Sequence, residues 1–301
     1  MFLTSSFSRI RVAVLCLVMA AALFAAPAAR ADDGIPNEVP YGPATYHVSL
    51  RSAVPLEKGE LAQVSMTLTD ADGDGVLPGR LAALDGDKLH VFVVDESLLD
   101  FQDLMPRPSG APGRFIFGFI PKTSHNYRVF VNLRPKGKPA QDIPALLKGK
   151  DPCGKYCVNI MSADRAKLPG YNVYVTLNRD TVHVGEDVIG TLHIIGSKEG
   201  APVIGLQPVK DAFAYLVGFY DDFKTVAHMT VVSDGPRKDT DIGASPILFV
   251  LHPARRGYLK YYAAFRIKGQ DYLVPFGLRV VKPGVSLPDI RKVLSRMPPD
   301  Q

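Results

Sequence analysis

Asn126-Tyr127-Arg128-Val129-Phe130-Val131-Asn132-Leu133-Arg134 places Tyr127, Val129, Val131 and Leu133 two residues apart. That is the period of a β-strand, whereas a helix would space its apolar residues by three and four. The stretch has an echo downstream, Gly257-Tyr258-Leu259-Lys260-Tyr261-Tyr262-Ala263-Ala264-Phe265. A second pair of echoes lies upstream of these. His90-Val91-Phe92-Val93-Val94-Asp95-Glu96 matches Tyr215-Leu216-Val217-Gly218-Phe219-Tyr220-Asp221, each an apolar strand running into an acidic turn. The repeat is about 125 residues long, the size of a domain and too long for a solenoid unit.

Outward from these four segments the same period continues. Residues 46–50, 63–69 and 114–119 join the first copy, and 171–177, 187–195, 246–251 and 273–281 join the second. Glycine, proline and aspartate cluster between them as turn signals. The expected fold is therefore all-β, two tandem immunoglobulin-like β-sandwiches over 46–135 and 170–282. Between them, 136–169 reads as a linker with one helical turn near the apolar patch 143–147. Residues 32–45, rich in glycine and proline, read as an extended leader, and 283–301 as a C-terminal tail.

The first residues predict export. Arg9 and Arg11 precede an apolar run from 12 to 28, and Ala29-Arg30-Ala31 has the small-x-small pattern that a signal peptidase accepts. A signal peptide over 1–31 with a mature start at Asp32 is expected, and with it a periplasmic or secreted address. Later segments fall short of transmembrane length, so no membrane span is expected in the mature chain. Loss of Arg9, Arg11 and Arg30, with no acid, takes the formal net charge from +5 to about +2. A balance so near neutral gives no electrostatic footprint for nucleic acid, and the chain has no tryptophan for a stacking platform. Cys16 departs with the signal segment. Export to an oxidising compartment then pairs Cys153 with Cys157 as a disulfide that pins the linker. The competing reading keeps both thiolates reduced as Cu(I) ligands with Met161.

Candidate chemistry is sparse. Gly-x-Ser-x-Gly, Gly-x-Gly-x-x-Gly and the phosphate-binding loop are all missing, so no catalytic residue is nominated and an enzyme is the less favoured reading. Asp70, Asp72 and Asp74 alternate as in the first half of a calcium loop, but Leu81 stands where the closing glutamate belongs; a hairpin turn competes with a calcium site. His228-Met229 sets an imidazole beside a thioether, a ligand pair suited to copper, and Met105 precedes Pro106 at a comparable place in the first copy.

The stretch Lys88-Leu89-His90-Val91-Phe92-Val93-Val94-Asp95-Glu96, continuing through Phe101-Gln102-Asp103-Leu104-Met105-Pro106, resembles a family of secreted bacterial proteins described as copper-resistance-like or heavy-metal-associated. Members carry a strand with Met-His or Leu-His, an acidic turn, Phe-x-His-x-His-Pro, and a later Gly-x-Tyr-Arg strand. The resemblance covers most of 46–134 and, more faintly, 171–281. In the first copy the two motif histidines fall on Asp103 and Met105; in the second they fall on His228 and Thr230, and Tyr215 replaces the strand histidine kept at His90. The resemblance implies a β-sandwich, a periplasmic address and, weakly, metal handling.

Two functions are therefore carried forward. The first is a non-enzymatic periplasmic protein that needs no cofactor and serves as accessory subunit or assembly factor for another periplasmic or membrane-associated protein. Its tail, with 287–294 as a short amphipathic helix, would be a further contact. The alternative is copper binding or transfer through a subset of His90, Asp103, Met105, His228 and Met229.

Overall fold

The alternation seen in the sequence becomes two β-sandwiches. The computed structural model describes residues 39–154, 157–161 and 163–285. The signal segment, the start at Asp32 and the helix expected over 287–294 lie outside the described residues. The first sandwich is built from β1 (His47–Ser52), β2 (Ala62–Thr69), β3 (Leu81–Ala82), β4 (Leu89–Asp95), β5 (Phe101–Leu104), β6 (Arg107–Pro108), β7 (Arg114–Phe119), β8 (Tyr127–Pro135) and β9 (Gln141–Leu147). The second contains β10 (Arg165–Leu168), β11 (Tyr171–Leu177), β12 (Val182–His183), β13 (Val188–Gly196), β14 (Ile204–Gln207), β15 (Tyr215–Tyr220), β16 (Val226–Val231), β17 (Gly243–Ala244), β18 (Ile247–Leu251), β19 (Gly257–Ile267) and β20 (Gln270–Val281). Among the described residues the only helical turn is a short 3-10 segment, Pro78–Arg80. No helix there is long and apolar enough to cross a membrane.

In the first sandwich a sheet ordered β1-β2-β7-β6 faces a sheet containing β3, β8, β4 and β5, with β9 on the far side of β8. β2 and β7 alternate between buried residues and exposed or partly exposed ones, because one face meets the core and the other meets water. β4 behaves differently: all seven of its residues are buried. Val91 and Val93 enter the core of their own sandwich, while Phe92 and Val94 pack on the other one. β15 repeats this arrangement, with Leu216 turned into its own core and Val217 and Phe219 turned outward against the first sandwich. The two domains therefore share a third apolar layer and belong to one compact unit.

Phe219 is central to that layer. Its ring lies 6.4 Å from Phe92, 5.1 Å from Phe101 and 5.7 Å from Phe130, taken between centroids. Tyr262 adds a polar tie by donating its hydroxyl to the Leu98 carbonyl at 2.9 Å. Leu98 sits in the acidic turn with a left-handed φ of 58° and a fully buried side chain. The turn is held by the buried Asp95 carboxylate, which accepts the backbone N–H groups of Leu99 and Asp100, each at 2.9 Å.

Three expectations change. The apolar patch 143–147 is strand β9 and not a helical turn: Ile143 and Leu147 point inward two strand periods apart, and Pro144 opposes a helix while being tolerated on an edge strand. The connection is thus shorter than 136–169, and β10 already pairs with β11 at its far end. The leader is fastened too, because Gly42 donates its N–H to the Ala140 carbonyl at 2.8 Å. Third, the echo over 126–134 is displaced by one residue. Asp95 pairs with Tyr127, and its counterpart Tyr220 pairs with Leu259 and not with Tyr258. In strands such a slip exchanges faces. Tyr127 consequently enters the first sandwich's own core, whereas Tyr258 enters the shared layer.

Cys153 and Cys157 are joined in a disulfide with a Cα separation of 5.9 Å.

If the shared layer couples the domains, Phe219→Ala will lower unfolding free energy by about 3–5 kcal/mol, the usual range for deleting a buried aromatic ring. Differential scanning calorimetry should show one transition for the native protein and two for the variant. A native protein that already melts in two separated steps would overturn the coupling.

Candidate functional site

His90, Asp103 and His228, three of the residues that the sequence singled out, collect at one end of the shared layer. Strand pairing explains why. Phe92 on β4 faces Asp103 on β5, and Val217 on β15 faces His228 on β16. Asp103 and His228 are thus equivalent positions of the two copies, both turned toward the neighbouring domain. His90 precedes Phe92 by two residues and points to the same side.

His90 is fully buried. Its Nε2 donates to the Leu84 carbonyl at 3.0 Å, and its Nδ1 lies 3.2 Å from Asp103 Oδ1. The second Asp103 oxygen accepts a hydrogen bond from Lys210 Nζ at 2.6 Å, an ion pair that crosses from one sandwich to the other. Lys210 also stands 3.5 Å over the centre of the Tyr215 ring. Burial by itself would raise the Asp103 pKa. The hydrogen bonds and charges of His90 and Lys210 outweigh it and hold the carboxyl below the ordinary value.

His228 belongs to a separate chain of contacts. Asn132 Nδ2 donates to the Tyr41 hydroxyl at 3.0 Å and to Asp142 Oδ1 at 2.8 Å. Tyr41 lies 3.1 Å from His228 Nδ1, and His228 Nε2 lies 2.8 Å from Asp142 Oδ2. One proton arrangement satisfies all four contacts: the Tyr41 O–H donates to Nδ1 and the Nε2–H donates to Asp142. The two rings also stack at 4.0 Å. Burial first, then the Asp142 charge, push the Tyr41 phenol well above its usual pKa despite the Asn132 hydrogen bond, so the proton stays on oxygen. Beside these groups a cleft of about 500 Å3 opens between the sandwiches, with Arg134, Asp85 and Tyr215 in its wall. The Tyr215 hydroxyl is buried there without a hydrogen-bond partner.

The five copper candidates do not converge. His90, Asp103 and His228 reach the interdomain layer, but Met229 is 6% exposed in the second sandwich's core and Met105 is 46% exposed on the outer side of the first. Adjacent residues of a strand face opposite ways, which separates Met229 from His228. Both nitrogens of each histidine already face protein partners, leaving no free lone pair directed at a shared point. Among the described residues no group of three or more His, Cys, Asp or Glu side chains is placed to hold a metal ion. At the acidic loop, Asp70 Oδ1 accepts the N–H groups of Asp72 and Asp74 at 3.2 and 3.0 Å, and Oδ2 accepts Arg80 at 3.1 Å. These contacts make a turn. Met161 is 72% exposed, and the cysteines that would have joined it are bonded to each other.

Tyr41, Asn132, Asp142, Lys210 and Tyr215 complete the polar layer, and sequence reasoning nominated none of them as functional. Tyr41 lay in the leader, Asp142 in the supposed linker and Lys210 in a loop. The one legible signal was the unbroken apolar run of β4 and β15, since strands buried on both faces read as continuous rather than alternating.

A family model described as a domain of unknown function (DUF8832) matches residues 166–282, the second sandwich from β10 to the end of β20. No match was found among curated proteins. Similar solved structures include the Yersinia pseudotuberculosis adhesin InvE, at 11% identity and TM-score 0.24, covering 77% of this chain and 58% of that one. Salmonella alpha-2-macroglobulin follows at 11% identity and TM-score 0.25, covering 82% and 16% respectively. Domains 4 and 5 of the S-layer protein SbsC follow at 14% and 0.23, covering 78% and 98%. The chain thus spans little more than half of the adhesin's length, and TM-scores of this size say nothing of activity or partner. These comparisons lend no support to kinship with copper-resistance-like proteins.

Because the folded Asp103 pKa is depressed, its stabilising effect is full above the unfolded value of about 3.9 and is lost as pH falls through the folded value. Asp103→Asn should therefore cost about 3 kcal/mol at pH 7, where Lys210 would be left without its partner. The difference from the native protein should be smaller at about pH 3, below the unfolded value, than at pH 7. Urea unfolding at the two pH values measures both, and an equal deficit at each would refute the ion-pair account.

Proposed function

We propose that this protein is a non-catalytic binding protein of the exported compartment, acting as an accessory subunit or assembly factor for another protein. One observation carries the reading: its two sandwiches are joined through a shared layer in which the reactive side chains are spent on each other. Asp103 is paired with Lys210 and His90, and His228 with Tyr41 and Asp142. Such a layer makes a stiff two-domain body and leaves the outer sheet faces and loops as the surfaces that meet other molecules. Rigid presentation of a surface lowers the entropic cost of association, which is what an accessory subunit contributes.

An exported address rests on the signal-like N-terminus and agrees with the Cys153–Cys157 disulfide. No separate observation favours copper transfer.

Photo-crosslinking in the native host, with the crosslinker placed in turn on each outer sheet, is expected to trap one protein partner from one face. Recovery of an uncrosslinked monomer from every position would overturn the proposal. Stoichiometric copper in protein purified without added metal would replace it with the metal-handling alternative.

A further inference from the structure

The outer face of the β1-β2-β7-β6 sheet carries charge of one sign. Strand register sets out its rows. Arg51 pairs with Ser65, Ser65 with Ile116, and Ile116 with Arg107, so one row runs Arg-Ser-Ile-Arg across four strands. The adjoining row runs Ser49, Thr67, Arg114. Strands about 4.8 Å apart put the Cα atoms of Arg51 and Arg107 about 14 Å from one another. Arg51, Arg107 and Arg114 are all exposed, and none has an ion pair among the described residues. Arg114 donates to the Thr67 hydroxyl at 2.6 Å.

Two hollows lie along these rows. The larger, about 840 Å3, runs between Arg51 and Arg107. The smaller, about 370 Å3, lies between Arg51 and Arg114. Neither lining contains a carboxylate. Leu61, Met105 and Ile116 line the larger one and are 62%, 46% and 47% exposed. The hollow exists because the copies differ. In the second sandwich β16 continues onto β18 and closes the sheet, through Val231 paired with Phe249. In the first copy Pro106 stands at the place of Val231, and proline has no N–H for a ladder. β6 then meets β7 only at Ile116 and Phe115, which leaves the gap beside Met105. The equivalent strands of the second sandwich, β11, β13 and β18, contain no arginine.

We infer that this arginine-lined face of the first sandwich is a docking surface for an extended acidic segment of a partner protein, with carboxylates flanking an apolar side chain. The inference rests on the accessory-subunit reading and supplies the chemistry of its partner. Three unpaired guanidiniums without a carboxylate among them call for an anionic ligand, and carboxylates suit the planar fork of arginine. An extended chain places residues i, i+2 and i+4 on one side and spans about 13 Å between the first and last, which matches the Arg51–Arg107 row. The exposed Leu61, Met105 and Ile116 select a protein over a polysaccharide, since they offer a seat for the apolar residue between the two acids. The one aromatic side chain in the lining of the two hollows, Phe117, is buried in the core, so among the described residues they offer no exposed ring on which a nucleobase could stack. Its apolar atoms line a hollow, a shape that receives a protruding side chain and does not insert into a bilayer.

The test uses the protein purified from its native host and a fluorescent peptide of pattern Thr-Glu-Thr-Leu-Thr-Glu-Thr, read by anisotropy at low salt. Saturable binding is expected, lost when lysine replaces glutamate in the peptide and weakened by added salt. Arg51→Glu and Arg107→Glu should each weaken it about tenfold, and Ile116→Asp by a similar factor. Unchanged melting of these exposed-residue variants by circular dichroism separates lost binding from lost folding. No binding by the native protein, or equal binding by the arginine variants, overturns the inference. So does arginine-dependent capture by phosphatidylglycerol vesicles with no response to the peptide. If the partner trapped by crosslinking is recovered equally well with the Arg51→Glu/Arg107→Glu double variant, this face is refuted while the accessory-subunit reading survives.

Discussion

Packing of Phe219 among Phe92, Phe101 and Phe130 places an aromatic core between two domains that already have cores of their own. Each such ring buries roughly 150–250 Å2, so a cluster of them dominates the association of the two sheets. The condition for it is that β4 and β15 be apolar on both faces. A strand of that kind cannot meet water, and each sandwich would be left with an exposed apolar sheet without the other. The two domains are consequently interdependent, which the scale of the repeat alone does not suggest.

The polar end of the layer follows from the same constraint. Once the sheets close on one another, any charged or hydrogen-bonding group on their facing sides must find a partner inside. Asp103 finds His90 and Lys210, and His228 finds Tyr41 and Asp142. Residues that look like metal ligands when read along the chain are thereby occupied as donors and acceptors between domains. The contacts that cross the boundary, Lys210 with Asp103 and His228 with Asp142, also fix the orientation of one sandwich on the other, because directional bonds tolerate less sliding than aromatic packing does.

The two copies diverge where the molecule meets its surroundings. The second closes its sheet through β16 and β18, whereas Pro106 interrupts the same connection in the first. Closure removes a free edge in one domain, and the interruption creates a hollow bordered by arginines in the other. The two copies are thus alike in the strands that face each other and differ on their outer sides.

Much of the fold was legible in the chain because a strand with one wet face must alternate, as β2 and β7 do. The all-β class, the two-copy organisation and most strand positions followed from that local rule. The disulfide was legible for another reason, two cysteines four residues apart in a chain with an export signal. The candidate site was not legible. Alternation says which residues share a side but not what lies opposite, and the one-residue slip between the echoed segments puts Tyr127 and Tyr258 on opposite faces. That His90 would meet Asp103 and Lys210, or His228 the leader's Tyr41 and the supposed linker's Asp142, depended on contacts between segments 13 to 187 residues apart. Such contacts leave no periodic trace in the sequence, since each partner obeys only the period of its own strand or loop; the pairing of β4 with β5 brought His90 to Asp103, and only the closing of one sandwich on the other decided the rest.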